Sequence, residues 1–200
     1  MTVTAPRTNP LDDGDELWLV RHGETAWSAS GQHTSVTDLE LTDSGVASAH
    51  TLTAPLAGVD FVQVLTSPRK RARVTAGLAG FPDALVDEDL AEWAYGDYEG
   101  LTTSEIRETV PEWSVWTHPS PGGESAEQMG QRLDRVVART RAAEGKTLVF
   151  AHGHSLRVLA ARWLGLDVAD GRIFDLDTAT ISVLSVDRGT PVVHRWNLAP

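Results

Sequence analysis

Two short apolar runs constrain the fold more than anything else in this chain. Leu17-Trp18-Leu19-Val20 ends at Arg21-His22-Gly23, and the run 147–151 ends at His152-Gly153. A continuous apolar run of this length, bounded on both sides, is the pattern of a strand buried on both faces. Residues 61–65 read as another strand, and a weaker one falls at 84–86. Helical stretches lie between them. Thr42 with Asp43 opens one that reaches about Pro55. Ser67-Pro68 offers an N-cap and a first-position proline for a helix stopping near Gly80. Thr102 and Glu105 have capping-box spacing for a short helix ended by Pro111. Ser125 and Gln128 repeat that spacing for a long helix ending at Gly145. Leu156, Leu159, Trp163 and Leu164 mark an apolar helix stopped by Gly165, and 181–186 and 192–196 read as a terminal hairpin. The expected fold is α/β: a three-layer α/β/α arrangement with a mainly parallel central sheet and a C-terminal antiparallel hairpin. Residues 1–14 lack any period and are expected to form a disordered tail, leaving one domain over 15–200.

Composition removes several function classes. The chain has 200 residues, a net charge of −11 and no cysteine. Without cysteine there is no disulfide scaffold, thiolate-bound zinc, iron–sulfur cluster or thiol nucleophile. The acidic balance argues against nucleic acid and anionic membranes as partners. No apolar run approaches membrane-spanning length and residues 1–16 contain no apolar segment, so a cytoplasmic location is expected. The acidic excess is uneven: it falls entirely before Arg107, and the bases of that half are Arg7, Arg21 and the cluster Arg69, Lys70, Arg71 and Arg73. That layout suggests a small positive pocket in an acidic surface.

In an open parallel sheet, ligands bind beyond the carboxyl ends of the strands, where His22 and His152 stand. Imidazole is a good nucleophile near neutral pH, an adjacent arginine offers a planar fork for phosphate oxygens, and Gly23 is expected to let an oxyanion approach the backbone. Arg69, Lys70, Arg71 and Arg73 lie on the opening turns of a helix, whose N-terminus attracts anions; Arg69, Lys70 and Arg73 also fit a solvated face. Glu92 lies among aromatics and the acids Asp97 and Glu99, which are expected to raise its pKa toward that of a general acid. His33, His50, His118 and His194 lack a motif and read as surface or structural, and Trp113 and Trp116 as core or lid-packing residues. His152-x-His154 could ligate a metal, although His154 fits better as a supporting hydrogen-bond partner.

Taken together, Arg-His-Gly-Glu at 21–24, Ser-Pro-x-x-Arg-Ala-x-x-Thr-Ala at 67–76, Glu92 before Tyr-Gly-x-x-Glu-Gly at 95–100, and Ala-His-Gly at 151–153 resemble the histidine phosphatase, or phosphoglycerate mutase-like, superfamily. Small bacterial acid phosphatases are the nearest likeness. The resemblance implies that His22 attacks phosphorus and becomes a phosphohistidine. It implies that Arg21, Arg71 and His152 bind the phosphoryl oxygens, with Gly153, Glu24 and Thr34 beside the substrate. Glu92 would protonate the leaving alkoxide and then deprotonate water. No metal or other cofactor is implied, because two guanidiniums and an imidazolium take its place. The partner is a small phosphate monoester, and a homodimer is left open. The loops 30–37 and 93–121 are expected to set specificity. Val36 and Glu40 stand where relatives carry Arg and Pro, and Trp93 follows Glu92 where mutases carry Arg. The alternatives are a mutase-type phosphotransferase and an idle phospho-ligand-binding domain.

Overall fold

The computed structural model describes residues 14–200, so the tail assigned to 1–14 lies almost wholly outside the described residues. The chain runs β1 (Glu16–Arg21), α1 (Ala26–Ser30), α2 (Asp43–Thr51), α3 (Thr53–Leu56), β2 (Phe61–Thr66), α4 (Lys70–Leu78) and β3 (Leu85–Val86). It continues α5 (Thr103–Thr109), α6 (Ala126–Ala142), β4 (Lys146–Ala151), α7 (Gly153–Trp163), β5 (Ile181–Asp187) and β6 (Thr190–Leu198). The sheet order is β3-β2-β4-β1-β5-β6. β3, β2, β4 and β1 are mutually parallel; β5 and β6 add antiparallel as the terminal hairpin. The α/β sheet and its hairpin are as expected from the sequence.

Strand alternation builds the two faces. Leu17, Leu19, Val149 and Ala151 point into a core with α6 and α7, including Met129, Leu133, Leu156 and Trp163. Val20, Leu148 and Phe150 point the other way, onto Leu52, Leu56 and Ala76 beside α2, α3 and α4. Successive side chains in a strand face opposite sides, so a strand buried on both reads as a continuous apolar run. Segment 91–125 closes over the first face, with Trp93, Tyr95, Ile106 and Trp113 in that core.

Local signals hold where a cap is local. Thr102/Glu105 and Ser125/Gln128 form both expected capping boxes, and Thr42 caps α2. Three boundaries differ. The stretch expected to run to about Pro55 breaks at Leu52 into α2 and α3. α6 stops at Ala142, before Gly145. α4 starts at Lys70 rather than at Pro68. The N-cap is Arg69: the Ser67 hydroxyl, 2.6 Å from His152 Nε2, accepts the Arg69 N–H at 3.3 Å ahead of the helix, and Asp38 accepts the Lys70 N–H at 3.0 Å.

Candidate active site

The carboxyl ends of β1 and β4 open onto a cavity of about 190 Å³. Arg21, His22, Thr34, Glu92 and Gly153 line it, as do Gln32, His33, His154, Arg157 and Asp175. Arg21 is the last residue of β1, and His22 continues the strand by donating its N–H to Ala151. The ring is almost completely buried, and Nδ1 lies 2.7 Å from the Gly23 carbonyl. A carbonyl only accepts, so Nδ1 carries the proton and Nε2 keeps its lone pair. Burial, then the charges of Arg71 and Arg21, pull the His22 pKa well below the ordinary histidine value. The ring is therefore neutral at neutral pH.

Gly23 serves a different purpose from the one its motif suggests. Its N–H donates to Thr75 Oγ1 at 2.9 Å, and a Cβ there would come 2.5 Å from the Gly45 carbonyl oxygen. The glycine admits α2, not an oxyanion. Glu24 is also structural: its carboxylate accepts from Thr42 Oγ1 at 2.7 Å, at the start of α2, and it does not line the cavity.

Arg21 donates Nη1 to Leu176 O at 2.5 Å, while its buried Nε has no partner. That unspent donor lies beside the half-buried Gly153 at the start of α7, where a Cβ would come 3.4 Å from it. Arg71 and His152 sit directly behind it. Arg71 is 1% exposed and His152 fully buried, and neither lines the cavity. The His22 and His152 rings lie 5.2 Å apart. Arg71 donates Nε to His152 Nδ1 at 3.1 Å and its terminal nitrogens to the carbonyls of Thr37, Thr34 and Ser35. Because Nδ1 accepts, His152 is a neutral imidazole, with burial and Arg71 depressing its pKa. The expected imidazolium is absent from this arrangement.

Glu92 reaches the cavity from segment 91–125. It accepts the backbone N–H groups of Trp93, His154 and Ser155, at 2.9, 3.0 and 2.8 Å. Its pKa is raised, and the cause is burial, opposed by those donors and by Arg71. The acids expected to raise it do not: Asp97 is exposed, and Glu99 binds the N–H groups of Ser35 and Thr37. Glu99 thereby straps 35–37 into place, and Val36 of that loop points outward, 59% exposed. Glu40 pairs with Lys70 at the surface.

Several lining residues carry no motif signal. His33 lines the cavity instead of standing as a surface or structural histidine; it packs 4.7 Å from Tyr95 and 5.2 Å from Trp113, ring centre to ring centre. Pairing of Gln32 with Thr102 and of His33 with Leu101 holds it there, contacts without a local sequence signature. His154 supports the wall as expected, 2.6 Å from the Tyr95 hydroxyl. Trp113 is core, and Trp116 packs on Trp93 and His154. Arg157 was legible in principle: it stands four residues after Gly153, on the same face of α7. Among the described residues no group of three or more His, Asp or Glu side chains is placed to hold a metal ion.

A strand-end histidine with a bare Nε2, an arginine with an unspent donor and a buried carboxyl of raised pKa define a site for handling phosphoryl groups. The chain matches the histidine phosphatase superfamily (branch 1) over residues 17–199 and belongs to it. It is 45% identical to an acid phosphatase of Mycobacterium tuberculosis, over 86% of this chain and 87% of that one. It is 39% identical to a sedoheptulose 1,7-bisphosphatase of Saccharomyces cerevisiae, over 75% of this chain and 68% of that one. A 2,3-bisphosphoglycerate-dependent phosphoglycerate mutase of Rhizobium johnstonii shares 35% identity over 90% and 89%. A solved structure of an open reading frame from M. tuberculosis superposes with a TM-score of 0.89 at 41% identity, over 92% and 98% of the two chains. Phosphatase activity is thus supported by relatives that span most of the fold.

Proposed function

We propose that this chain hydrolyses small phosphate monoesters through a phosphohistidine at His22, without a metal. Nε2 of His22 attacks phosphorus, and the bond to the ester oxygen breaks. Glu92, protonated, gives its proton to the departing alkoxide. The resulting carboxylate then takes a proton from water as the water oxygen attacks the phosphohistidine, which restores His22 and releases phosphate. Arg21 balances charge on the phosphoryl oxygens, the larger part of catalysis in such transfers. Arg71 acts from behind, by its charge and by fixing His152. The carrying observation is the His22 Nδ1 bond to the Gly23 carbonyl, which leaves Nε2 bare in a cavity shared with Arg21 and Glu92. About 190 Å³ lies below the roughly 300–1,000 Å³ of sites for drug-sized ligands, which favours a small metabolite. The acid phosphatase and sugar-bisphosphatase relatives point the same way. No helix among the described residues is long and apolar enough to cross a membrane, and a cytoplasmic location is part of this proposal.

The test is phosphate release from p-nitrophenyl phosphate with chelator present and His22→Ala as blank, together with trapping of acid-labile phosphate on the protein. Release by the His22→Ala protein, or loss of release to the chelator, refutes the reading. The mutase relatives favour a second reading, return of the phosphoryl group to substrate. Against it, Trp93 is buried and its indole N–H is spent on Glu124 O at 2.9 Å, so no cation follows Glu92. Fast interconversion of 2- and 3-phosphoglycerate with negligible phosphate release would select that reading.

A further inference from the structure

Arg71 is buried behind the reacting histidine, and among the described residues no carboxylate pairs with it. Its guanidinium is held by His152 Nδ1 at 3.1 Å and by the carbonyls of Thr34, Thr37 and Ser35 at 3.0, 3.1 and 3.4 Å. A cradle of carbonyls is only as rigid as the backbone that carries it. Residues 33–40 belong to no helix or strand, and Val36 within them faces solvent. The cradle therefore needs a second support.

Glu99 supplies it. Gly100 donates its N–H to His33 O at 2.8 Å, which draws the Glu99 segment against the loop. Both carboxylate oxygens accept the Ser35 N–H at 2.9 Å, one also accepts the Ser35 hydroxyl, and the other accepts the Thr37 N–H at 3.0 Å. Burial opposes the charge of Glu99, but these donors outweigh it and hold the pKa below the ordinary value. Glu99 is thus an anion at neutral pH.

A single peptide unit joins this anion to the cation. The carbonyl of Thr34 accepts from Arg71 Nη2, and the N–H of Ser35, in the same unit, donates to Glu99. In a trans peptide the two groups point opposite ways, so the unit lies between the charges with its dipole aligned to both. Hydrogen bonds chained in this way strengthen one another. Thr37 repeats the contact on the other arm: its N–H binds Glu99 and its carbonyl takes Arg71 Nη1.

We infer that Glu99 is a positioning residue for phosphoryl transfer, which holds the Arg71 guanidinium against His152 through the 34–35 peptide and Thr37. The kinetic part of the inference rests on the phosphatase reading; the linkage itself does not. Glu99 does not line the cavity, so its effect on substrate passes through Arg71 alone.

The test is a double-mutant cycle on p-nitrophenyl phosphate turnover, with thermal melts to confirm folding. Glutamine keeps the shape of Glu99 but turns a donor toward the loop N–H groups. Glu99→Gln should lower kcat about 10- to 100-fold, the effect of a small misplacement in the site, and leave KM within about threefold. Glu99→Asp, which keeps the charge, should recover part of the loss. In an Arg71→Ala background, Glu99→Gln should cost less than about threefold further. A full second loss there overturns the proposal, as does a Glu99→Gln protein with wild-type kcat or with a change in KM alone.

Solvent exchange of the Arg71 Nε–H, followed by NMR and identified by its loss in Arg71→Lys, reads the linkage without turnover. Glu99→Gln should speed it about 10-fold or more while backbone N–H groups of β1 and β4 stay within about twofold. Unchanged exchange, or equal acceleration everywhere, overturns the proposal. If the wild type releases no phosphate, the hydrolase reading fails, and exchange decides the role of Glu99; it decides likewise if Arg71→Ala does not fold or turn over.

Discussion

His33 gives the most direct physical test of the cavity wall. Burial lowers its pKa from 6.5 to about 4, partly opposed by the charge of Glu99. A histidine with a depressed folded pKa binds fewer protons in the native state than in the unfolded one. Its stabilising contribution is therefore complete above 6.5 and is lost as pH falls through about 4. Full protonation of the ring costs the fold about 3 kcal/mol, of which about 2 kcal/mol is already lost at about pH 5. The assay is urea unfolding of the wild type and His33→Gln at about pH 8 and about pH 5. Glutamine retains a polar group near Thr103 Oγ1, which His33 Nε2 contacts at 3.2 Å, and it does not titrate. The buried rings of His22, His152 and His154, also depressed, remain in both proteins, so most of their contribution cancels. The wild type should lose about 2 kcal/mol more than the variant between the two pH values. Equal losses would mean that His33 is not held neutral by burial, and the account of the wall would fail.

Glu92→Gln should lower kcat for alkyl phosphates about 10²- to 10⁴-fold and for aryl phosphates far less, because only the poor leaving group needs the proton. The proposed mechanism requires neutral His22 and protonated Glu92; the first pKa is depressed and the second raised, so the reactive form should span a wider pH range than free side chains would allow. The alkaline limb of the pH–kcat profile belongs to Glu92 and should disappear in the Gln variant; its persistence would reassign it. Gly45→Ala brings a Cβ to 2.2 Å from Glu24 O and should destabilise by about 1–3 kcal/mol or more, whereas Gly77→Ala, with nothing within 4 Å, should stabilise by about 0.5–1 kcal/mol. Thermal melts check both, and similar shifts would refute the packing argument. With a net charge of −11, added salt should speed capture of a bisphosphate more than of a monophosphate, read as kcat/KM between about 0.01 and 0.1 M salt; slower capture would contradict long-range repulsion.

The sequence was legible where the relevant contact is close along the chain. A capping box joins residues three apart, so Thr102/Glu105 and Ser125/Gln128 could be read directly. The β1 and β4 runs were legible because burial on both faces makes 17–20 and 148–151 continuously apolar. Ser67 misled because the first helical N–H, that of Lys70, is taken by Asp38, 32 residues away, and no local pattern records that. The same holds for His33, which enters the cavity only because 32–33 pairs with 101–102. Arg71 and His152 carried motif signals that told of charge and identity but not of depth. Their placement behind the cavity depends on which carbonyls Arg71 reaches, a property of the folded 34–37 loop.

Charge counted along the chain was a weaker guide than charge counted in space. The acidic excess before Arg107 suggested an acidic half around a basic pocket. The fold interleaves the halves: Arg135 and Arg139 of α6 pair with Asp89, and Arg139 also with Asp87. Acids of the first half are thus answered by bases of the second, and the field at the cavity mouth does not follow from either half alone. What remains near the reacting atoms is a short list of ionisable groups: Arg21, Arg157, Glu92 and Asp175 on the cavity wall, and Arg71 behind it. Burial is the largest cause of both shifts, lowering the His22 pKa and raising that of Glu92. The chemistry therefore depends on how dry the pocket is. Net charge governs only how a substrate approaches it from a distance.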